Sequence, residues 1–258
     1  MDLDLSGKAA LVTGGSKGIG LACAELLASE GCRVAIAARN KANLDAAAQR
    51  IGSCFVHTAD LTSADAAARM VEAVERETGG IDILVNSAGA ARRTPPDDLD
   101  SPAWHAAMDA KFFAYIHAVD PVIKRMAARR RGVIVNVIGN GGKVASATHI
   151  AGGAANAALM LATAGLASAY ASRGIRVVGI NPGLTNTDRV AEGLRAEARL
   201  SGTSPEEALR RALGRIPLGR MAEPDEIARV VAFLASSQAS YISGVTITMD
   251  GVSTPLVV

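Results

Sequence analysis

Thr13-Gly14-Gly15-Ser16-Lys17-Gly18-Ile19-Gly20 decides the fold of this chain. An apolar run, Ala9 to Val12, leads into the stretch, and a helical pattern, Ile19 to Ser29, leads out of it. Strand, glycine turn, helix is the order that a dinucleotide-binding loop requires. Glycine lets the backbone turn sharply and approach a pyrophosphate closely. The free N–H groups and the dipole at the helix N-terminus then attract phosphate charge. Gly14, Ser16, Lys17, Gly18, Ile19 and Gly20 are therefore expected to hold a cofactor.

Outward from this loop, apolar strand-like runs alternate with Ala-rich helical stretches from end to end. The expected strands are Ala9–Thr13, Arg33–Ala37, Cys54–Thr58, Ile81–Asn86, Gly132–Ile138, Ile175–Asn181 and Val245–Met249. Helical stretches lie near 19–29, 41–50, 63–78, 101–129, 151–172 and 225–235. Near-continuous apolar strands imply burial on both faces, hence a parallel sheet between two helix layers. No repeat, linker or composition break divides the chain. The expectation is one doubly wound α/β domain over residues 1–258, a three-layer Rossmann fold with ligands beyond the carboxyl ends of its strands.

With 258 residues and 49% hydrophobic content, the chain can bury a substantial core. Its net charge of +2 gives no polyanion-binding surface, so no nucleic-acid partner is expected. Arg129, Arg130 and Arg131 are read as a solvated helix C-terminus. Cys23, Cys32 and Cys54 lack metal-ligand spacing, and no metal is expected. Their odd number, with no signal peptide, points to a reducing cytoplasm. Ile150 to Ser172 carries no charge, but it is rich in Ala, Gly, Ser and Thr and includes Asn156. It reads as a buried or subunit-facing helix and not as a membrane span.

Cofactor choice is written at the end of the second strand. A NAD-type site places a carboxylate near there for the ribose hydroxyls. This chain has Arg39, with Lys17 in the glycine loop, and two cations suit a 2′-phosphate. NADP(H) is therefore expected ahead of NAD(H), the alternative being that both are plain surface charges. Asp60 and Leu61 follow the third strand. Asp60 either meets the adenine edge or helps to start the next helix, where Thr62 and Asp65 form a capping-box-like pair. Asn86-Ser87-Ala88-Gly89 ends the fourth strand; Asn86, Ala88 and Gly89 are placed under the cofactor because small residues let a ligand lie over a strand end. Asn181 to Thr187 ends the sixth strand in a fixed turn, from which Pro182, Gly183, Thr185 and Thr187 are expected to meet a nicotinamide carboxamide. The polar stretch 188–215 reads as a mobile lid or a passive insertion.

With these residues assembled, the chain resembles the classical short-chain dehydrogenase/reductase family over nearly its full length. The carrying motifs are the glycine loop, Asp60, N-S-A-G at 86–89, G-I-R-V at 174–177, N-P-G-L-T-N-T at 181–187, and P-L-G-R-M-A-E-P-D-E-I-A at 217–228. The resemblance implies nicotinamide dinucleotide binding and a homotetramer or homodimer, with the helix near 151–172 at a subunit interface.

The family's catalytic Asn, Ser, Tyr and Lys do not carry over. Anchored on Asn136 and Gly174, the Tyr position falls on Gly152, the Lys position on Asn156, the Ser position on Gly139 and the Asn position on Lys111. No Tyr or Lys occurs in 144–169. In the family the Tyr gives a proton to the carbonyl oxygen, and loss of a general acid commonly costs about 10²–10⁴ in rate. Lys111 and Asn156 look like an exchange of cation and amide, or two unrelated drifts. His149, three residues before Gly152, is a further proton-transfer candidate. Ser146, Thr148 and Asn140 could add polar contacts, and Lys143 is expected to be solvated. Three functions stay open. One is an atypical oxidoreductase acting on a small carbonyl or hydroxyl compound, with Lys111, His149 and Asn156 as its catalytic residues. The others are a non-redox lyase, hydratase or retro-aldol catalyst, and an inactive NADPH-binding sensor or partner.

Overall fold

In the computed structural model, which describes residues 2–89 and 91–256, seven parallel strands form one sheet. They are β1 (Ala9–Thr13), β2 (Arg33–Ala38), β3 (Cys54–Thr58), β4 (Ile83–Asn86), β5 (Gly132–Val137), β6 (Ile175–Pro182) and β7 (Thr246–Met249). Their order is β3-β2-β1-β4-β5-β6-β7. The order reverses between β1 and β4, where parallel sheets open a crevice for ligands.

The apolar strands are buried on both faces, as their composition predicts. Val12, Ile36, Val85 and Val135 face one layer, with α1 (Gly18–Ser29), α2 (Lys41–Ile51) and α9 (Pro224–Ala235). Leu11, Ala35, Leu84 and Ile134 face the other, with α3 (Ala64–Thr78), α5 (Ala114–Arg129) and α6 (Ile150–Tyr170). The α6 helix is long and apolar enough to cross a membrane by composition. Here its Ala151, Ala155, Leu159, Thr163 and Ala167, four residues apart, form a buried stripe, while Leu161 is 76% exposed on the opposite side.

β2 and β6 run one residue longer than the sequence reading and β7 starts one residue later, and three further differences stand out. β4 starts at Ile83; Asp82 just before it still donates its N–H to the Ala9 carbonyl at 2.9 Å, while its side chain accepts the Ala9 N–H at 3.0 Å and pairs with Arg131. β5 stops at Val137 because Gly139, at φ +118, turns the chain away. The expected helix 101–129 is α4 (Ser101–Ala107), a π-helical stretch (Met108–Phe113) and α5 in succession. Residues 188–215 fold into α7 (Asp188–Leu200) and α8 (Pro205–Leu213).

The arginine run is not solvated as a unit. Arg129 pairs with Glu75 at 2.9 Å and donates to the Ile81 carbonyl at 2.8 Å; Arg130 donates to the Ser172 carbonyl at 3.0 Å. Their work is to pin helix ends to loops. The three cysteines are free thiols, and burial pushes Cys23 up to about 12 and Cys32 to about 11. No group of metal-ligating side chains occurs among the described residues.

A polar ladder runs through the sheet next to the crevice. Thr13 Oγ1 donates to Asn86 Oδ1 at 3.2 Å, Asn86 Nδ2 to Asn136 Oδ1 at 3.0 Å, and Asn136 Nδ2 to Thr163 Oγ1 at 3.0 Å. Thr163 completes it by donating to the Leu159 carbonyl at 2.8 Å. All four side chains are buried, and together they lock β1, β4, β5 and α6 in register.

Candidate active site

Three motifs distant in sequence meet at the crevice. Gly14 has φ +70, and a Cβ there would lie 2.7 Å from the Ser87 and Ala88 backbone. A Cβ on Gly20 would strike the Gly14 carbonyl. One on Gly18 would sit 3.2 Å from Thr187 Cγ2. The glycine loop, the end of β4 and the start of α7 therefore line one narrow cradle, with the N-terminus of α1 aimed into it. Lys17 and Ser16 stand before the first turn of α1, where orphan N–H groups and the dipole favour an anion. The cradle fits a dinucleotide phosphate.

The other expected cofactor contacts divide. Arg39 is exposed at the end of β2 and joins none of the ion pairs among the described residues. Asp60 is exposed too. Its carboxylate accepts from Thr62 N at 3.0 Å and Thr62 Oγ1 at 2.9 Å, which holds it below the usual carboxylate range, with Arg39 adding to the effect. The cap of α3 is Ser63, accepting from Ala66 N at 3.3 Å, and the Thr62–Asp65 pairing does not form. Leu61 is buried at the side chain, and its carbonyl accepts from His117 Nδ1 at 2.9 Å. The Asn86 side chain is committed to the polar ladder, its residue is paired in the sheet opposite Thr13 and Asn136, and the Gly89 carbonyl accepts from Arg189 at 3.4 Å. Pro182 ends β6 beside Met249, and Thr185 is buried next to Gly183. Thr187 caps α7, accepting from Val190 N at 3.4 Å.

Beyond the end of β5, side chains have been redistributed. Gly152 has no side chain, and the His149 ring fills the space in its place: a Cβ on Gly152 would lie 2.7 Å from both His149 ring nitrogens. The ring's other edge faces Gly141, whose Cβ would lie 3.1 Å from Cδ2. Asn156 is buried, its Nδ2 turned toward Gly139 and Gly141. His149 Nδ1, Asn156 Oδ1, Asn140 Oδ1 and Asn181 Oδ1 are buried without a hydrogen-bond partner. Such orphans are rare in native proteins, and four of the five among the described residues belong to the end of β6, the stretch between β5 and α6, and the first turns of α6.

Lys111 sits in the π-helical stretch, 8% exposed. It donates to Tyr115 OH at 2.9 Å and to the Val137 carbonyl at 3.3 Å; Tyr115 OH donates to the same carbonyl at 2.5 Å. Burial, with Arg189 nearby, pulls Lys111 down to about 7, and burial pushes the Tyr115 hydroxyl up. No hydrogen bond joins Lys111 to Asn156, so the pair does not form a direct cation–amide contact. Tyr115 is turned onto β5 and not into the space over Gly152. Tyr170 lies at the far end of α6, under Arg173 at 5.3 Å.

Lys143 is tethered rather than solvated, donating to Thr248 Oγ1 at 3.2 Å. Asn140 Nδ2 holds Asp250 at 2.8 Å and Thr254 at 2.6 Å. Ser146 is exposed and shapes the turn through its carbonyl, which accepts from His149 N at 2.9 Å. Thr148 Oγ1 accepts from Arg93 Nη1 at 3.2 Å. Sequence reasoning missed Arg93 and a second arginine, Arg189, whose Nη1 donates to the Gly89 carbonyl at 3.4 Å. Burial lowers the His149 pKa, and Arg93, Arg189 and Lys111 lower it further. A recess at the opposite end of the sheet, lined by Lys8, Asp82, Arg131 and Tyr241, contains none of these groups.

The chain is similar to known reductases and dehydrogenases. Residues 14–252 match the family model described as Enoyl-(Acyl carrier protein) reductase. The chain is 34% identical over 250 residues to the 3-oxoacyl-acyl-carrier-protein reductase FabG of Vibrio cholerae, covering 96% of this chain and 98% of that one. The structure of L-sorbose reductase from Gluconobacter frateurii, complexed with NADPH and L-sorbose, superposes with a TM-score of 0.93 at 28% identity and full coverage of both chains. NAD+-bound xylitol dehydrogenase superposes with a TM-score of 0.91 at 28% identity, covering 96% of this chain and 99% of that one.

Proposed function

The chain belongs to the short-chain dehydrogenase/reductase family, and from that premise we propose that it is an NADP(H)-dependent oxidoreductase of small carbonyl or hydroxyl compounds with a rebuilt proton-transfer site. His149 takes over the task of the family's tyrosine. The observation that carries this reading is the His149 ring filling the space over Gly152, with Nδ1 buried and unpartnered.

The dinucleotide, when bound, supplies or accepts hydride at the substrate carbon. The chain does the rest. Gly14, Ser16, Lys17, Gly18, Ile19 and Gly20 hold the pyrophosphate end, and Arg39 with Lys17 takes a 2′-phosphate. Asp60, Leu61, Asn86, Ala88 and Gly89 line the adenosine side by backbone and turn; Pro182, Gly183, Thr185 and Thr187 lie toward the nicotinamide. His149 Nδ1 exchanges the proton with the substrate oxygen. Asn156 Oδ1 accepts a hydrogen bond from the substrate or a bridging water, and Lys111 fixes the Val137 carbonyl behind it. The α7–α8 segment closes over the site, and the exposed Leu161 side of α6 packs in a homotetramer or homodimer.

The cofactor preference rests on Arg39 and Lys17, because the two related structures hold different dinucleotides. With its pKa held below the ordinary 6.5, His149 is neutral at pH 7 and accepts a hydroxyl proton. Alcohol oxidation should therefore rise with pH through the His149 pKa, and ketone reduction should fall through it. Nicotinamide turnover over a panel of small carbonyl and hydroxyl compounds tests the reading. His149→Ala is expected to lower kcat/KM by about 10²–10⁴-fold and to remove this pH dependence while NADPH affinity holds. Full turnover in a His149→Ala, Lys111→Ala double variant would overturn the mechanism.

One observation favours a second reading. An amine held at about 7, as Lys111 is, can serve as a base near neutral pH. A lyase or hydratase reaction that runs with no nicotinamide added would replace the redox assignment.

A further inference from the structure

Four cationic or proton-accepting side chains converge on the substrate side of the crevice with no carboxylate among them. Arg189, at the start of α7, binds the Gly89 carbonyl at 3.4 Å. Gly89 lies directly on the Ala110 carbonyl, one residue before Lys111. Arg93 binds Thr148 Oγ1 at 3.2 Å, one residue before His149, and Thr94 N ties the same two loops through the Thr148 carbonyl at 3.0 Å. Arg93, Lys111, His149 and Arg189 are absent from every ion pair among the described residues. Elsewhere arginines take carboxylates readily, as Arg125 and Arg129 do with Glu75 and Arg220 does with Glu226. His149 Nδ1 and Asn156 Oδ1 are buried without partners, and both side chains lie against Gly141.

We propose that this site takes an anionic carbonyl compound, an oxo acid, with its charged group held by Arg93 and Arg189 and its carbonyl oxygen directed to His149. This inference rests on the redox reading above and names its substrate class. Unpaired guanidinium groups match a carboxylate or phosphate in charge and fork geometry. They come from two elements, the 92–95 loop and α7, so an anion bound between them would also draw the segment closed. Arg93 and Arg189 are the fixed cations here, close enough to repel one another, and Lys111 adds to them when protonated; an anion relieves that repulsion and a neutral ligand does not.

The test compares acetoacetate, its neutral methyl ester and dihydroxyacetone phosphate, each titrated into the NADPH complex. Both anions are expected to bind about 10-fold or more tightly than the ester, and the ratio between them identifies the favoured anionic group. Arg189→Gln and Arg93→Gln should each erase most of that advantage and leave NADPH affinity in place. A readout independent of turnover is the His149 imidazole signal in NMR. Its pKa should rise when acetoacetate binds and stay put with the ester. Equal affinity for ester and acid, or an Arg189→Gln loss confined to NADPH, would overturn the anion site. Charge-dependent binding with no nicotinamide turnover would keep the anion site and defeat the redox reading; ester turnover at the acid's kcat/KM would do the reverse.

Discussion

Lys111 keeps an amine inside a helix turn, and both of its hydrogen-bond partners, Tyr115 OH and the Val137 carbonyl, are uncharged. Its pKa falls from 10.5 to about 7, so the folded chain carries it half neutral at pH 7 while the unfolded chain carries it charged. Between those two values the unfolded state binds more protons, and stability therefore rises with pH across that window and levels off below about 7. One pKa unit is about 1.4 kcal/mol, so the penalty in the acid limit is of the order of a few kcal/mol. Lys111→Met should flatten this dependence and raise the Tm at pH 6–7 by several degrees, at about 2–4 °C per kcal/mol for a chain of this size. Differential scanning calorimetry across pH 6–10 checks it, and a lower Tm in the variant would show that the amine's hydrogen bonds outweigh its burial. The same arithmetic bears on Gly152. A tyrosine returned there meets the His149 ring, and a serine returned at Gly139 meets a φ of +118 that L side chains rarely adopt. Gly152→Tyr alone should therefore unfold at a lower temperature than the parent, whereas Gly152→Tyr with His149→Ala should recover much of the loss.

At the scale of elements, the strands were legible because both faces are apolar, and the helices because Ala-rich periods separate them. The ladder of Thr13, Asn86, Asn136 and Thr163 was not: each residue looks like a lone polar group in an apolar run, and only the parallel register opposes Asn86 to Thr13 and Asn136. Removing one member strands its neighbours without partners, at about 1–3 kcal/mol for a buried group. Asn136→Leu should thus lower stability by about that amount in urea titration; a neutral result would show that the ladder relaxes around the change. The π-helical stretch was equally hidden, since Met108–Phe113 fits a 3.6-residue period as well as any wider turn. It reaims Lys111, and π-turns frequently mark functional sites. The glycine loop, by contrast, was readable residue by residue, because its chemistry demands glycine at fixed spacing. The gap at Gly152 was readable too. That His149 fills it required coordinates, since nothing in A-T-H-I-A-G states which way a loop histidine turns. The arginines from the 92–95 loop and α7 gave no signal, being exposed charges in polar stretches.

Over the whole molecule, the net charge of +2 conceals an uneven arrangement. Acidic groups such as Glu75, Asp82, Glu207 and Glu226 are tied into ion pairs away from the crevice. Lys17, Arg39, Arg93, Lys111 and Arg189 stand unpaired at the carboxyl end of the sheet, where the reversal of strand order opens it. A dinucleotide with a third phosphate gains most from such an end, and the gain is electrostatic and screened by salt. Arg39→Ser should weaken NADPH binding by about 10-fold or more, the worth of a charge-assisted bond to phosphate, and leave NADH nearly unchanged. Raising the salt concentration should narrow the NADPH advantage of the parent more than that of the variant. Titration calorimetry with both dinucleotides at two salt concentrations measures all four quantities. A parallel loss for NADPH and NADH would reduce Arg39 to a general surface charge. No loss for either would assign the end of β2 no part in cofactor choice, since Lys17 alone stands in the glycine loop for both.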